Sequence, residues 1–514
     1  MLYIFVKQKR FNGAKMDKRK SILNVAVSVG FKIVTVIMVI VVKRFLINTC
    51  GNDVNGLNAL YLSIIGFLSV AELGVGSAIT FCMYKPIVEN DNDTVSALYH
   101  LFRRVYLVIG GIILVCGLGM LPFLGVFAKD YEAVDVSLGF TFVLMLLSVV
   151  ITYLYSCKSS LINAYKNNYI TTAISSGCLV LQYVLQIVVL IVTKSFVWYL
   201  VCRIIAAVLQ GVITDVVSRK KYGSILSNEN KSLKAPVKRE LLKNIKAMFM
   251  HRVGYILVNT VDSVVISSFV GVAALGMYSN YTTILTSLTE VLKLVFTSLT
   301  SVIGHFYIES NKATTRKYCE RFHLLNFVLG CVFFLGYYAV IDNLIAILFS
   351  TDLVVSKSVS LVITLNGFVQ FMRQSTLVFR EATGTFYNDR WKPLLEGITN
   401  LVLSIIFVHW IGITGVIVAT IITNLLICHI IEPYVLYKNA FTVSPKKYYF
   451  KNYARISVFV AALFLLDNCK QSNASVWTGF FVNGLISVAI SIGVCLIVLL
   501  LNREAVKDLI KRNK

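Results

Sequence analysis

Three cations stand where a cation is costly to keep. Lys32, Arg252 and Arg203 each fall within or at the edge of an apolar run long enough to cross a bilayer. Ionisable groups at that depth persist where they face water, a counter-charge or an anionic ligand. Lys32 lies about 16 Å into a run spanning 21–47, at 1.5 Å per residue. Arg203 stands a third of the way into the run 195–218, and Arg252 within 241–269. Two chemistries fit such groups. A water-filled cleft lined by them suits a phosphate-bearing substrate, which a guanidinium grips through two parallel hydrogen bonds. Alternatively they are neutralised by intramembrane carboxylates, for which Glu72 and Asp262 are available. The same carboxylates are candidates for ion coupling or a structural role, as is Glu290, three residues before Lys293 on one helix face.

Other charges read as ordinary. Arg373, Glu396 and Glu432 fall near run ends, where long side chains reach the interface cheaply. The six histidines, His100, His251, His305, His323, His409 and His429, also lie mostly near run ends and read as interfacial rather than as proton relays. The sequence has no phosphate-binding loop, nucleophile elbow or zinc-protease motif. The eleven cysteines form no C-x-x-C pair and sit mostly inside apolar runs, as small hydrophobes do. No catalytic residue, metal site or cofactor is therefore expected, and the chain does not read as an enzyme.

The elements that position these residues are dictated by composition. Of 514 residues 57% are hydrophobic and 14% charged, too apolar for an aqueous core and suited to lipid. Fourteen candidate helical spans follow: 21–47, 54–83, 105–128, 136–157, 168–193, 195–218, 241–269, 272–304, 322–349, 354–379, 391–411, 413–437, 453–467 and 476–501. The last-but-one is the weakest, and the pair around Gly412 and Gly415 admits another division. With the amino terminus placed inside, alternate segments hold 38 Lys and Arg inside and six outside: Lys43, Arg44, Lys129, Lys194, Lys357 and Lys470. This bias places both termini in the cytoplasm and accounts for the net charge of +24 without nucleic acid. The basic start (Lys7 to Lys20) precedes a run longer than a signal peptide, so it reads as the lead into a retained helix. Translation from Met16 is an alternative to Met1.

The most hydrophilic stretch, 219–246, divides the spans into six and eight. It reads as a solvated linker that also suits anionic headgroups. Across it, an offset of 220 matches Lys32 to Arg252, Gly51 to Gly271, Gly56 to Gly276 and Tyr61 to Tyr281, each in corresponding elements. The expected organisation is a basic segment 1–20, a six-helix bundle 21–218, a linker 219–240, a second six-helix bundle 241–437, and two extra helices with a basic tail over 438–514. Two pseudo-symmetric bundles imply a cavity between them.

Several segments carry a family resemblance. Gly56-Leu-Asn-Ala-Leu-Tyr61, Leu68-Ser-Val-Ala-Glu72-Leu-Gly-Val-Gly76-Ser-Ala-Ile-Thr80 and Met83-Tyr84-Lys85-Pro86 resemble the amino-terminal signature of Wzx-type O-antigen and polysaccharide flippases. Weaker pieces follow: Asp389-Arg390-Trp391-Lys392-Pro393 with Glu396 and Asn400, Gly412-Ile-Thr-Gly415-Val with Ala419-Thr420, and Glu432-Pro433-Tyr434 with Tyr437-Lys438. The likeness spans about residues 20–500 and implies membership of the multidrug/oligosaccharidyl-lipid/polysaccharide (MOP) exporter superfamily. That membership implies an all-α integral membrane fold of about 14 helices, in two bundles around a V-shaped central cavity worked by alternating access. It also implies transfer of an undecaprenyl-pyrophosphate-linked oligosaccharide to the outer leaflet of the bacterial inner membrane, for surface polysaccharide such as lipopolysaccharide O-antigen. Lys32 and Arg252 become pyrophosphate or acidic-sugar contacts, and Arg203 a further cavity cation. Glu72 becomes a structural or coupling carboxylate, with H+ or Na+ as the coupling ion. Tyr84-Lys85-Pro86 becomes a turn. Expected partners are the lipid-linked oligosaccharide, membrane lipids and polysaccharide polymerase machinery. The alternatives are a multidrug-type cation antiporter of the same superfamily, which would want acidic groups in its cavity, and a polytopic polymerase or ligase, for which the outer loops are short.

Overall fold

The structure is a computed structural model that describes residues 18–72, 74–227, 233, 238–239, 241, 260–471 and 475–501. Every regular element among them is helical. Among the described residues nine helical stretches are long and apolar enough to span a bilayer. Two compact units are formed, Met1–Gly276 and Met277–Lys514.

The first unit contains α1 (Lys18–Cys50), α2 (Asn52–Leu68), α3 (Val75–Val88), α4 (Asn92–Gly119), α5 (Leu138–Ala164), α6 (Asn168–Thr193) and α7 (Phe196–Ser227). The expected single span 54–83 is broken. After α2 the chain tightens through a 3₁₀ turn, Ser69–Glu72, and passes Gly74 at φ +70° before α3 begins. Glycine adopts that left-handed backbone without the steric cost a Cβ brings. Lys85 and Pro86 lie within the last turns of α3 rather than in a turn of their own. Asp91 caps α4 by accepting from the Thr94 amide at 3.0 Å, satisfying a donor that the helix start leaves open.

The repeat positions meet within this unit. The first turn of α8 (Val272–Ser298) crosses the start of α2 so closely that a Cβ on Gly56 would lie 1.9 Å from the Val272 carbonyl oxygen. A Cβ on Gly276 would lie 2.4 Å from the Asn52 carbonyl oxygen. The offset of 220 carries one contact onto the other. Asn52 Nδ2 and Asn55 Nδ2 donate to the Ala273 and Gly276 carbonyls at 2.8 and 3.2 Å.

The second unit continues α8 and adds α9 (Thr300–Glu309), α10 (Lys312–Leu348), α11 (Lys357–Met372), α12 (Gln374–Ala382), α13 (Lys392–Thr423), α14 (His429–Leu436), α15 (Lys446–Cys469) and α16 (Val476–Leu501). The expected span 272–304 is interrupted at Leu299, and the span 354–379 at Arg373. α13 folds back at Ile411 and Gly412, where Gly412 takes φ +59°. The reversal brings Asn400 Nδ2 to Thr420 Oγ1 at 2.7 Å, so this element is a helical hairpin. Among the described spans α10 is the most buried, with its Phe327 and Phe334 packed against Phe368 and Phe371 of α11. α16 turns Trp477, Phe481, Leu485, Val488, Ile492 and Leu496 outward, while Asn483, Ser487 and Ser491 are buried. Large apolar groups outside and small polar groups inside is the pattern expected where lipid is the solvent.

Both repeat tyrosines are fully buried. Tyr61 donates to the Leu138 carbonyl at 3.0 Å, at the start of α5. The Tyr281 hydroxyl accepts from the Val355 amide at 3.3 Å, just before α11, and donates to Asp342 at 2.9 Å.

Candidate functional site

The residues singled out by the sequence lie in different surroundings. Lys32 is half-buried in α1, and the Thr35 hydroxyl donates to its carbonyl at 2.9 Å. Arg252 lies outside the described residues. Arg203 is half-buried on α7, seven residues past the helix start. Its charge acts on the Tyr199 and Tyr183 hydroxyls. Cys50 Sγ at the end of α1 bonds to the Lys194 carbonyl, which sets those helix ends level. Lys32 and Arg203 are therefore separated by roughly 15 Å in depth, at 1.5 Å per residue.

Glu72 sits on the 3₁₀ turn between α2 and α3, where its Oε1 accepts from the Tyr106 hydroxyl at 2.5 Å. Tyr106 in turn packs against Phe102 and Tyr153. Asp262 is half-buried, and Glu290 is exposed on α8 near Lys293.

The most developed charge site lies elsewhere, around the interruption at Arg373. The Arg373 amide bonds to Gln370 at 3.3 Å instead of completing the regular ladder to Val369. His429 Nε2 takes that carbonyl at 3.0 Å. Asn452 Nδ2 donates to His429 Nδ1 at 2.9 Å, which keeps the ring proton on Nε2. Asn326 Nδ2 donates to the Phe371 and Met372 carbonyls at 3.0 and 3.2 Å. The helix break is thus sustained by side chains that take up the freed backbone acceptors, as a broken helix in lipid requires.

The break aims Arg373 into the second unit. Its guanidinium meets Glu432 at 2.7 Å and Glu396 at 3.2 Å, and donates to Asn424 Oδ1 at 2.5 Å. Lys392 reaches Glu396 at 2.8 Å and Glu432 at 2.7 Å. Glu432 is 1% exposed at its side chain and Glu396 5%, so water does not solvate either. Two cations face two carboxylates, and Asn424, Asn400, Thr420 and Ser404 extend the network by hydrogen bonds. Arg380 and Asp389 form a further buried pair beside it.

This corrects the expectation that Arg373, Glu396 and Glu432 snorkel to the interface. They are buried because four elements converge there, so pairing replaces solvation. His323 and His429 are likewise buried rather than interfacial, with His323 Nδ1 bonded to Ser375 at 2.7 Å. Lys43 and Arg44, assigned outside by charge counting, lie within α1, and Lys43 is buried. Lys392 and Asn424 were missed as site residues. The signal was the separate fragments Asp389-Arg390-Trp391-Lys392-Pro393 and Glu432-Pro433-Tyr434, which the fold brings into one cluster.

Among the described residues no group of three or more His, Cys, Asp or Glu is placed to hold a metal ion. No family model matches the sequence. No curated protein matches it either. Solved structures do match. The lipid II flippase MurJ in an inward closed conformation superposes with a TM-score of 0.64 at 13% identity, over 94% of this chain and all of that one. An inward-facing multidrug resistance MATE family transporter of the MOP superfamily gives 0.55 at 15% identity, over 85% and 99%. A MOP superfamily transporter from Pyrococcus furiosus, described as having a binding pocket of reverse polarity, gives 0.50 at 16%, over 85% and 96%. At such identities a likeness speaks for fold alone. The chain is a multi-pass membrane protein with the fold of the MOP superfamily transporters.

Proposed function

We propose that this chain moves a lipid-linked oligosaccharide bearing an undecaprenyl pyrophosphate from the cytoplasmic to the outer leaflet. The observation that carries the reading is the retention of Lys32 and Arg203 at membrane depth on α1 and α7, where a cation without a purpose is costly. A pyrophosphate crossing hydrocarbon bare meets a prohibitive desolvation cost, which cationic side chains at successive depths offset. The flippase signature around Gly56–Pro86 and the fold shared with a lipid II flippase support the same substrate class. The broken element α2–α3 and the interrupted α11–α12 suit a transporter, since discontinuous helices are where such folds hold ions and substrates. The reciprocal Gly56 and Gly276 contact supports reading 21–218 and 241–437 as related bundles. Arg252, the repeat counterpart of Lys32, joins the cation set, with Glu72, Asp262 and Glu290 as carboxylates for structure or for coupling to H+ or Na+. The orientation follows the charge bias, with both termini cytoplasmic in a bacterial inner membrane.

The test is complementation in a bacterium lacking its own glycan flippase and supplied with the native glycan genes. The wild type restores surface polysaccharide. Lys32→Ala, at equal membrane level, does not. Lipid-linked glycan that stays trapped inside despite good wild-type expression would sink the reading. It would favour the second one, a cation antiporter, which the likeness to a multidrug transporter supports.

A further inference from the structure

At one end of the second unit, α10 packs against α15 and against the π-helical turn Tyr437–Phe441 that follows α14. Buried polar atoms are left open where these elements meet. The Tyr437 side chain is buried, and its hydroxyl has no hydrogen-bond partner. Its ring centroid lies 5.3 Å from that of Tyr448 on α15, and the His323 ring of α10 lies 4.9 Å from Tyr448. Tyr448 itself is satisfied by Thr376 at 2.9 Å. Ser375 bonds His323 Nδ1 and Asn452 stands beside the ring, yet His323 Nε2 and Asn452 Oδ1 each lack a hydrogen bond of good geometry. Buried polar groups are nearly always bonded, so a convergence of open ones points to something that bonds them.

Arg455 is the charge these groups share. On α15 it follows Lys451 by four residues and Tyr448 by seven, so the three lie along one stripe. It is half-buried, and its electrostatic neighbours are Tyr448, Tyr437, Glu320 and His323. Among the described residues it makes no hydrogen bond and no ion pair. Glu320, the one acid among those neighbours, is shared by Lys451 at 3.5 Å and Arg316 at 3.7 Å, and Arg316 Nε has no hydrogen bond of its own. The stretches 312–321 and 438–455 together hold nine Lys or Arg against that one acid. Of the acids that border them, Glu309 is exposed at the end of α9 and Glu432 is held by Arg373 and Lys392. Positive charge is therefore in excess here.

The level in the membrane is fixed by the sequence. α10 carries no Asp, Glu, Lys or Arg between Arg321 and Asp342, and α15 none between Arg455 and Asp467. His323 and Arg455 thus stand where both helices pass from charged to apolar, the level of lipid headgroups. Phe450, exposed between Lys447 and Lys451, suits the aromatic belt at that level. A guanidinium with a free fork, an open phenol hydroxyl and flanking cations at a membrane edge are the complement of a phosphate group.

We infer that Arg455, with Tyr437 and His323 beside it, holds a phosphate group at this membrane edge, carried by an anionic lipid headgroup or by free phosphate. The fork of Arg455 takes two phosphate oxygens and the Tyr437 hydroxyl donates to a third. His323 donates from Nε2 in the tautomer in which Ser375 donates to Nδ1, and a hydroxyl on the phosphate or headgroup suits the open Asn452 Oδ1. The site goes beyond the flippase reading and takes from it only the orientation, which makes this the cytoplasmic edge.

Native mass spectrometry of the purified full-length chain tests this, with phosphatidylglycerol, neutral phosphatidylcholine and inorganic phosphate as titrants. Arg455→Gln weakens phosphatidylglycerol by about ten- to a hundredfold and leaves phosphatidylcholine unchanged. Tyr437→Phe, which removes the open hydroxyl and strands no partner, weakens phosphatidylglycerol by about fivefold. Arg455→Lys keeps the charge but loses the fork, so it falls between and serves if the glutamine variant does not fold. Lys438→Gln keeps wild-type affinity, because the Lys438 ammonium is turned onto the Tyr434 hydroxyl at 2.9 Å. Displacement of the lipid by inorganic phosphate identifies a free anion as an occupant, and failure to displace it assigns the site to the headgroup. Wild-type phosphatidylglycerol affinity in the folded Arg455 variant overturns the site. So does an equal loss in Lys438→Gln, which would mean diffuse attraction to a basic surface. None of these arms depends on transport, so a failed complementation leaves them standing.

Discussion

At the Arg373 junction of the second unit, each of Arg373 and Lys392 has two carboxylates within 3.2 Å, whereas the stretches 34–52 and 180–212 of the first unit hold Lys43, Arg44, Lys194 and Arg203 and no acid. Both are positions where lone charge is expensive, yet the solutions are opposite. The second unit closes its charges on one another and on the amides of Asn424 and Asn400. Such a network ties α11, α12, the α13 hairpin and α14 together and leaves nothing for a ligand to neutralise. In the first unit, Arg203 makes no ion pair among the described residues and has the Tyr199 and Tyr183 hydroxyls as its charge neighbours. The difference teaches that the second cluster neutralises its charges on one another, whereas Arg203 sits beside neutral phenols.

The largest expected effect breaks the balanced cluster. Glu432→Gln leaves Arg373 and Lys392 sharing Glu396, and removing one partner of a buried ion network costs about 3–5 kcal/mol. Thermal unfolding in detergent should show a clear fall in Tm; an unchanged Tm would mean that the cluster is not architectural. Gly56→Ala comes next, because its new methyl meets the Val272 carbonyl and overpacking costs about 1–3 kcal/mol. The same unfolding assay reads it, and a silent variant would show that the first unit is not held by this crossing. The smallest effect is Tyr106→Phe, which removes a hydrogen bond to Glu72 at a cost of about 1 kcal/mol. A loss exceeding that of Glu432→Gln would reverse the comparison and make Glu72 the principal charged tie in the molecule.

Much of the fold was legible in the sequence. The all-helical membrane architecture, the reversal at Gly412 and the special positions of Gly56, Gly276, Tyr61 and Tyr281 all stand in the run of residues. The interruptions at Ser69–Gly74, Leu299 and Arg373 were not, because each lies within an unbroken apolar stretch whose average conceals a local change of backbone. The site was legible only in pieces. Lys392, Glu396 and Glu432 occur in motifs that look minor one at a time, and Arg373 lies 59 residues from Glu432. Lys43 was counted with the outside charges although the run 21–47 includes it, and the structure places it within α1, which continues to Cys50.

What the sequence determined by itself is the solvent and the element: a composition this apolar requires lipid, and lipid requires a backbone that satisfies its own hydrogen bonds as helices do. It also determined where charge enters the membrane, since each such residue is visible in its run. Only the tertiary structure decided which charges are neutralised. Helix formation depends on neighbours within a few residues, whereas ion pairing depends on which helix faces which. That turns on side-chain packing and on breaks such as the one at Arg373, which no local average records.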